Sequence, residues 1–286
     1  MFPDFGTPLR DAANAAIDWL IITHGNSFDA VSDALLGAFL FVELPLRAMP
    51  PWAVLLVVAL LAFAASRKIL LTLICTGGMW LLGALGVWDE AMQSLAIVLV
   101  SVGVCAVFGV PLGISMAKSA MVRRMLSPVL DLMQTIPSFV YLIPVAMLLG
   151  LGKVPAILAT VVYALPPLIR LTDLGLRLIE KELLEAADAF GATAMKRLVV
   201  VELPLAAPNI LQGINQTTMM ALAMVVIASM VGAPGLGQTV LEGLQRADVG
   251  KGLIGGLSIV LLAIVLDRIT QAFGSRRLTS RGDDTP

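Results

Sequence analysis

Long apolar runs separated by short polar breaks dominate the chain, and their lengths predict helices that cross a membrane. A span needs roughly 20 mostly apolar residues, with about 17–25 tolerated. Runs of this kind cover 51–66, 69–87, 90–117, 154–176, 207–231 and 251–272. A seventh, 137–151, is short and contains Pro144. Ahead of it, Ser127-Pro128 reads as an N-cap and first helical turn, so that 128–136 would lie along the interface before the chain turns inward at Pro137.

The stretch 28–47 carries a different pattern. Phe28, Val31, Leu35, Phe39, Val42 and Leu46 recur at helical spacing, while Asp29, Asp33, Glu43 and Arg47 lie on another side. Charge near both ends suits a helix lying on the membrane better than one crossing it. Asp11 to Thr23 resembles a second short surface helix. The expected fold is therefore an all-α integral membrane protein with about seven spanning helices and N-terminal interfacial helices. Residues 1–50 would hold the interfacial helices, 51–89 two peripheral spans, 90–272 the core, and 273–286 a tail.

Basic residues set the orientation. With the N-terminus outside and seven spans, the inside segments hold Arg67, Lys68, Lys118, Arg123, Arg124, Arg177, Lys181, Lys196, Arg197, Arg276, Arg277 and Arg281. The outside segments hold only Arg10, Arg47, Lys153, Arg246 and Lys251. This excess places the N-terminus outside, the C-terminus inside and the loop 177–206 in the cytoplasm. Trp52 and Trp88 fall near the outer boundary, where amphipathic rings are favoured.

Composition removes most other classes. Hydrophobic residues are 58% of the 286 and charged residues 14%, against about 25% charged in a soluble domain. The net charge of −1 offers no nucleic-acid surface. Cys75 and Cys105 are far apart in apolar runs and read as small hydrophobes, and His24 is the sole histidine, so a metal or triad site has no ligands to draw on. Met1 to Ala16 lacks a basic region running into an apolar stretch, so the first span rather than a cleaved signal peptide is expected to direct insertion. The nearest approach to a phosphate-binding loop, Gly152-Lys153, has Met147 where the first glycine belongs and Val154 where the hydroxyl belongs. ATP hydrolysis by that route is excluded.

One polar stretch interrupts the apolar sequence. Residues 180–204 read as two short helices: Glu180 to Phe190 with a surface kept slim by Ala186, Ala187 and Ala189, then a second from Thr193 through Val201. Gly191 can adopt positive φ and end the first, Thr193 can cap the second, and Pro204 would stop it before the next span. A slim alanine-rich helix ending at glycine can enter a cleft on another protein, with Glu182, Glu185, Lys196 and Arg197 giving polar specificity. An ordinary cytoplasmic hairpin would carry the same alanines for helix propensity alone.

The spacing Glu185-Ala186-Ala187, three residues, Gly191, nine residues, Val201, one residue, Leu203-Pro204 resembles the EAA loop of bacterial ABC importer permeases, with Val201 in place of isoleucine. The resemblance extends to Asp131–Pro144, Tyr163–Asp173, Asn215–Met230, Gly235-Leu236-Gly237 and Asp267–Gln271, and there it is to the glycine betaine/proline betaine and choline (quaternary ammonium) importer permeases. It covers about Ala91 to Gln271; the first ninety residues are less diagnostic. It implies a type I importer transmembrane domain in the bacterial inner membrane. It further implies that Glu182, Glu185, Ala186, Ala187, Gly191, Lys196, Leu203 and Pro204 couple to a separate ATP-binding subunit in two copies, where ATP and magnesium are held. A periplasmic substrate-binding protein and a second copy of the chain would complete the assembly; this chain itself would bind no cofactor and would not be an enzyme.

Polar and flexible side chains inside the spans are pathway or gate candidates. Asn215, Gln216, Thr217 and Thr218 form a collar that must face protein or a pathway rather than lipid; interhelical hydrogen bonding is the alternative role. Met220 and Met224 could seal a gate or simply pack. Phe139, Tyr141 and Tyr163 are the aromatic candidates for a quaternary ammonium ligand, though too few and scattered to declare a cage. Arg170 and Asp173, three apart on one helix, are expected to pair. A permease of the same architecture for another small solute, such as an amino acid, shares these features. A secondary transporter would be expected to show inverted repeats and buried ion ligands, and the sequence displays neither.

Overall fold

The computed structural model describes residues 5–279, with side chains described through Phe273. Among these residues the chain is helical, with no strand. Four helices are individually long and apolar enough to cross a membrane: α4 (Trp88–Lys118), α7 (Lys153–Arg177), the run Ala194–Ser229, and α12 (Val249–Thr279) through Phe273. Two bent pairs add to these: α1 (Gly6–Ala48) with α2 (Pro51–Ser66) at 110°, and α5 (Ala120–Thr135) with Ser138–Leu149 at 108°. Proline places both corners, at Pro50-Pro51 and at Pro137, because its fixed φ and missing N–H suit a helix start and oppose continuation. The apolar helix α3 (Ile69–Ala84) is short. Of the seven expected spans, 137–151 is thus a 3₁₀ turn, Ser138–Tyr141, followed by the eight-residue α6 (Leu142–Leu149).

Several expectations require correction, while the two expected N-terminal helices are both present, meeting at a kink at His24 (φ −124°, ψ 16°) within α1. Its second half is not a free surface element: Phe39 and Glu43 are buried, and α1 packs on α4, α6 and α7. The N-cap ahead of Pro137 is Ser119 rather than Ser127. Its side chain accepts from the Val122 N–H, and Pro128 lies inside α5. The expected tail, 273–286, continues α12 as far as Thr279, and 280–286 lie outside the described residues.

The core is built around α7, 67% of whose most apolar window is buried, against 44% for α4 and 22% for α12. It packs most extensively on α10 (Leu203–Ser229) and α4. Lipid tails are as apolar as leucine, so association inside a bilayer relies on close van der Waals contact and small residues. Gly109 and Gly113 of α4 and Gly213 of α10 supply the contact with α7. A Cβ at Gly113 would lie 2.5 Å from the Thr172 Cβ and 2.8 Å from the Ile169 carbonyl oxygen; one at Gly213 would lie 2.9 Å from a Leu168 methyl. Around this core, α2 and α3 form a hairpin against α12, and α11 (Leu236–Gln245) folds onto α12 and α10. Ser94 of α4 accepts from the Leu236 N–H at 2.8 Å, fixing the start of α11.

The packing yields a direct test. Gly113→Ala should lower stability by about 1–3 kcal/mol through overpacking, whereas Gly103→Ala, where nothing lies within 4 Å of the added carbon, should be neutral or slightly stabilising. Thermal unfolding of the two variants in detergent checks this.

Candidate functional site: coupling hairpin and translocation face

Beyond Arg177 the chain forms α8 (Lys181–Ala189), in which no residue is buried. Glu182, Glu185 and Ala186 are exposed and Ala187 is half-buried. The helix closes with two nested bonds, Gly191 N–H to Asp188 O at 2.9 Å and Ala192 N–H to Ala187 O at 3.1 Å. That closure needs a left-handed residue, and Gly191 supplies it at φ +75°. A Cβ there would meet nothing within 4 Å, so within this chain the space around the turn is open. Thr193 then caps α9 (Ala194–Arg197), accepting from the Lys196 N–H at 3.4 Å. Lys196 points into solvent with Pro204, while Leu203 is half-buried.

Pro204 does not stop the second helix. A π-helical turn, Leu198–Glu202, joins α9 to α10 in one continuous helical path. Pro204 sits in the first turn of α10, where a missing N–H is tolerated.

The same stretch carries the charge network that sequence reading passed over. Glu202 is 2% exposed and accepts from Arg197 Nε at 3.0 Å and from Lys118 Nζ. Arg197 also pairs with Asp188 of α8. The signal available was a lone acid between Val201 and Leu203; its partner Lys118, at the last turn of α4, is distant in sequence and only the fold brings it there. A second network lies beside it. Asp173, nearly buried, accepts from Arg177 at 2.8 Å and from Arg123 at 3.0 Å, and Arg123 also donates to the Met116 carbonyl at 3.0 Å, at the end of α4. The expected Arg170–Asp173 pair does not form; Arg170 pairs with Asp131 of α5. The two residues, three apart on α7, are each drawn to α5, which supplies Asp131 to Arg170 and Arg123 to Asp173.

The collar on α10 divides by face. Asn215 is buried, and its Nδ2 donates to Asp267 Oδ1 on α12 at 2.9 Å, which Gln271 also reaches at 2.7 Å. Thr217 is fully buried, and Thr218 donates to the Ile214 carbonyl at 2.8 Å. Gln216 alone of the four is exposed, in line with exposed Gln212, Met219 and Ala223. Met220 is half-buried, while Met224 is fully buried against Leu142 and Ala159, with Tyr163 packed beside them. Phe139 is exposed, and the Tyr141 hydroxyl donates to the Met133 carbonyl at 2.7 Å. Among the described residues the one stacked or edge-on ring pair is Trp19 with His24. No group of three or more His, Cys, Asp or Glu side chains among the described residues could hold a metal ion.

At the opposite end of α4 and α12 lies an open crevice of about 580 Å³, lined by Asp89, Glu90, Glu242, Asp248 and Lys251. Lys251 donates to Glu242 and, with Gln238, holds that carboxyl below its ordinary range.

Comparison with known proteins agrees with this geometry. Residues 109–279 match the family "Binding-protein-dependent transport system inner membrane component". The chain is 44% identical over 284 residues to the glycine betaine/proline betaine transport system permease protein ProW of Escherichia coli, covering 96% of this chain and 77% of that protein. It is 44% identical to the glycine betaine transport system permease protein OpuAB of Bacillus subtilis, covering 96% and 97%. A solved structure of the MetNI methionine ABC transporter in inward-facing conformations superposes with a TM-score of 0.58 at 25% identity, over 68% of this chain and 95% of that one. With a matching helical architecture and a match along almost its whole length, the chain belongs to the family of binding-protein-dependent transport system inner membrane components, the permease subunits of ABC importers.

Proposed function

We propose that this chain forms half of the translocation pathway of an ATP-driven importer for quaternary ammonium compounds such as glycine betaine, choline, carnitine or proline betaine. The observation that carries the coupling part is the exposed hairpin α8–Gly191–α9, a slim helix with no buried residue, set at the end of the most buried span. The relatives named for glycine betaine and proline betaine carry the substrate class. In this reading two copies of the chain enclose the path and two ATP-binding subunits, holding ATP and magnesium, grip the two hairpins. A periplasmic binding protein delivers substrate to the opposite face. The N-terminus is periplasmic and the hairpin cytoplasmic in this reading, which the lysine and arginine bias supports. The exposed amides of Gln212 and Gln216 support the pathway assignment, because such groups within a span need protein or water rather than lipid. Alternating access then follows when closure of the ATPase pair moves the hairpins and, with them, the spans.

Four outcomes test this reading. In proteoliposomes containing the complete transporter, uptake of labelled glycine betaine should be displaced by choline, carnitine or proline betaine; displacement by methionine or proline alone would favour an amino-acid permease. In intact cells, a cysteine replacing Thr193 should label only from the cytoplasm and one replacing Ala247 only from outside; labelling of both from one side overturns the topology. Gly191→Asp should leave the permease folded, since aspartate tolerates left-handed backbone and meets no neighbour in this chain. It should nevertheless reduce uptake at least tenfold; full substrate-stimulated hydrolysis and uptake would remove the hairpin from coupling. Asn215→Leu removes one of the two hydrogen bonds to the Asp267 carboxylate, leaving that of Gln271, and should lower stability by about 1.5–3 kcal/mol, the worth of a hydrogen bond to a charged group, whereas Gln216→Leu should lower uptake with little change in the unfolding temperature. Thermal unfolding and uptake measured side by side separate the two residues.

A further inference from the structure

We propose that the Lys118–Glu202 ion pair is the joint that makes α4 move with the docking hairpin, and that the π-turn Leu198–Glu202 is the adjustable element behind it. The inference rests on the coupling reading of the hairpin given above.

The hairpin has few mechanical connections. Neither α8 nor α9 contains a buried residue, and α8 packs appreciably only on α9 and the π-turn. Beyond its backbone links to α7 and α10, what fastens it is a chain of charges: Asp188 of α8 to Arg197, Arg197 to Glu202, and Glu202 to Lys118. Lys118 ends α4, and the carbonyls of Met116 and Ala117 just before it accept from Arg123, which in turn holds Asp173 of α7. A displacement of α8 thus reaches α10 through the backbone, and reaches α4 through Glu202.

Glu202 is suited to this task by its surroundings. It is 2% exposed, while Lys118 is 43% exposed at its side chain. A carboxylate withdrawn from water is held best by all of its cationic partners, so parting the two helices leaves Glu202 with Arg197 alone and resists their separation. The backbone beneath it is equally specific. The Leu203 N–H bonds the Leu198 carbonyl, one residue further back than in an α-helix. Single π-turns concentrate where a helix must accommodate a functional distortion. Returning that turn to α-geometry would rotate Glu202 by roughly 100°, one residue's step about the helix axis, and carry it away from Lys118. In this proposal the segment switches between that unpaired arrangement and the paired one observed, as an element that relays movement requires.

The test uses the complete transporter, with its ATPase subunits and binding protein, in proteoliposomes, and reads ATP hydrolysed per labelled glycine betaine imported. Lys118→Met leaves Glu202 its bond to Arg197, so folding and ATPase capture should persist. The ratio of hydrolysis to uptake should rise at least fivefold, and Lys118→Arg should restore it. Glu202→Gln should raise the ratio in the same direction. Hydrolysis and uptake falling in parallel, an unchanged ratio, or loss of assembly in both Lys118 variants would each overturn the proposal. Failure of the coupling reading itself is distinguishable, because Gly191→Asp would then retain both activities.

Discussion

The close contact of α7 with α4 and α10 is the constraint on which the rest of the structure depends. In a bilayer, burial of apolar surface gives little advantage to one helix pairing over another, so surface fit decides. Gly109 and Gly113 let α4 come against Leu168 and Thr172, and Gly213 brings α10 against Leu168 from another side. Once α7 is wedged between them, the ends of α4, α7 and α10 share one small region, and the charged side chains of that region have to be reconciled. The networks around Glu202 and Asp173 are the result.

These networks divide the molecule into a stiff part and a grippable part. Inside the spans, Asn215 of α10 and Asp267 of α12 are turned toward one another. Outside, α8 is held by charge and by its glycine closure, with none of its side chains buried. A segment proposed to be grasped by another protein cannot also spend its apolar face on its own core. Ionic fastening resolves the conflict, because it fixes position while leaving the helix surface available. The same device holds α1 at the other end: buried Glu43 accepts from Lys153 at 2.9 Å, with the Lys153 ammonium 4.5 Å from the Phe39 ring centre. That contact turns the expected surface helix into a brace across α6 and α7.

Particular residues show why the sequence went as far as it did. The hairpin was readable because its conformation is local: Gly191 closes α8 and Thr193 caps α9 through bonds spanning three to five residues. Arg170 departs from this local logic, because closeness along a helix does not make a partnership: α5 supplies Asp131 to Arg170 and Arg123 to Asp173 from outside the segment. Ser127-Pro128 misled for a related reason. It has the chemistry of a helix start, yet Ser119 eight residues earlier already serves, and a proline within α5 is accommodated.

By itself the sequence determined the helical class, the main apolar spans, the absence of a phosphate-binding loop and the local shape of the hairpin α8–Gly191–α9. All of these follow from properties of contiguous residues: hydrophobic length, turn chemistry and capping. Only the tertiary structure decided that Asn215 faces Asp267 while Gln216 faces outward, that Met224 is packed, and that Glu202 answers to Lys118. A helix presents each side chain every 100° or so around its axis, and its own sequence carries no information about which neighbour will stand on which side. That depends on how the helices cross, which is set by the fit of several segments at once.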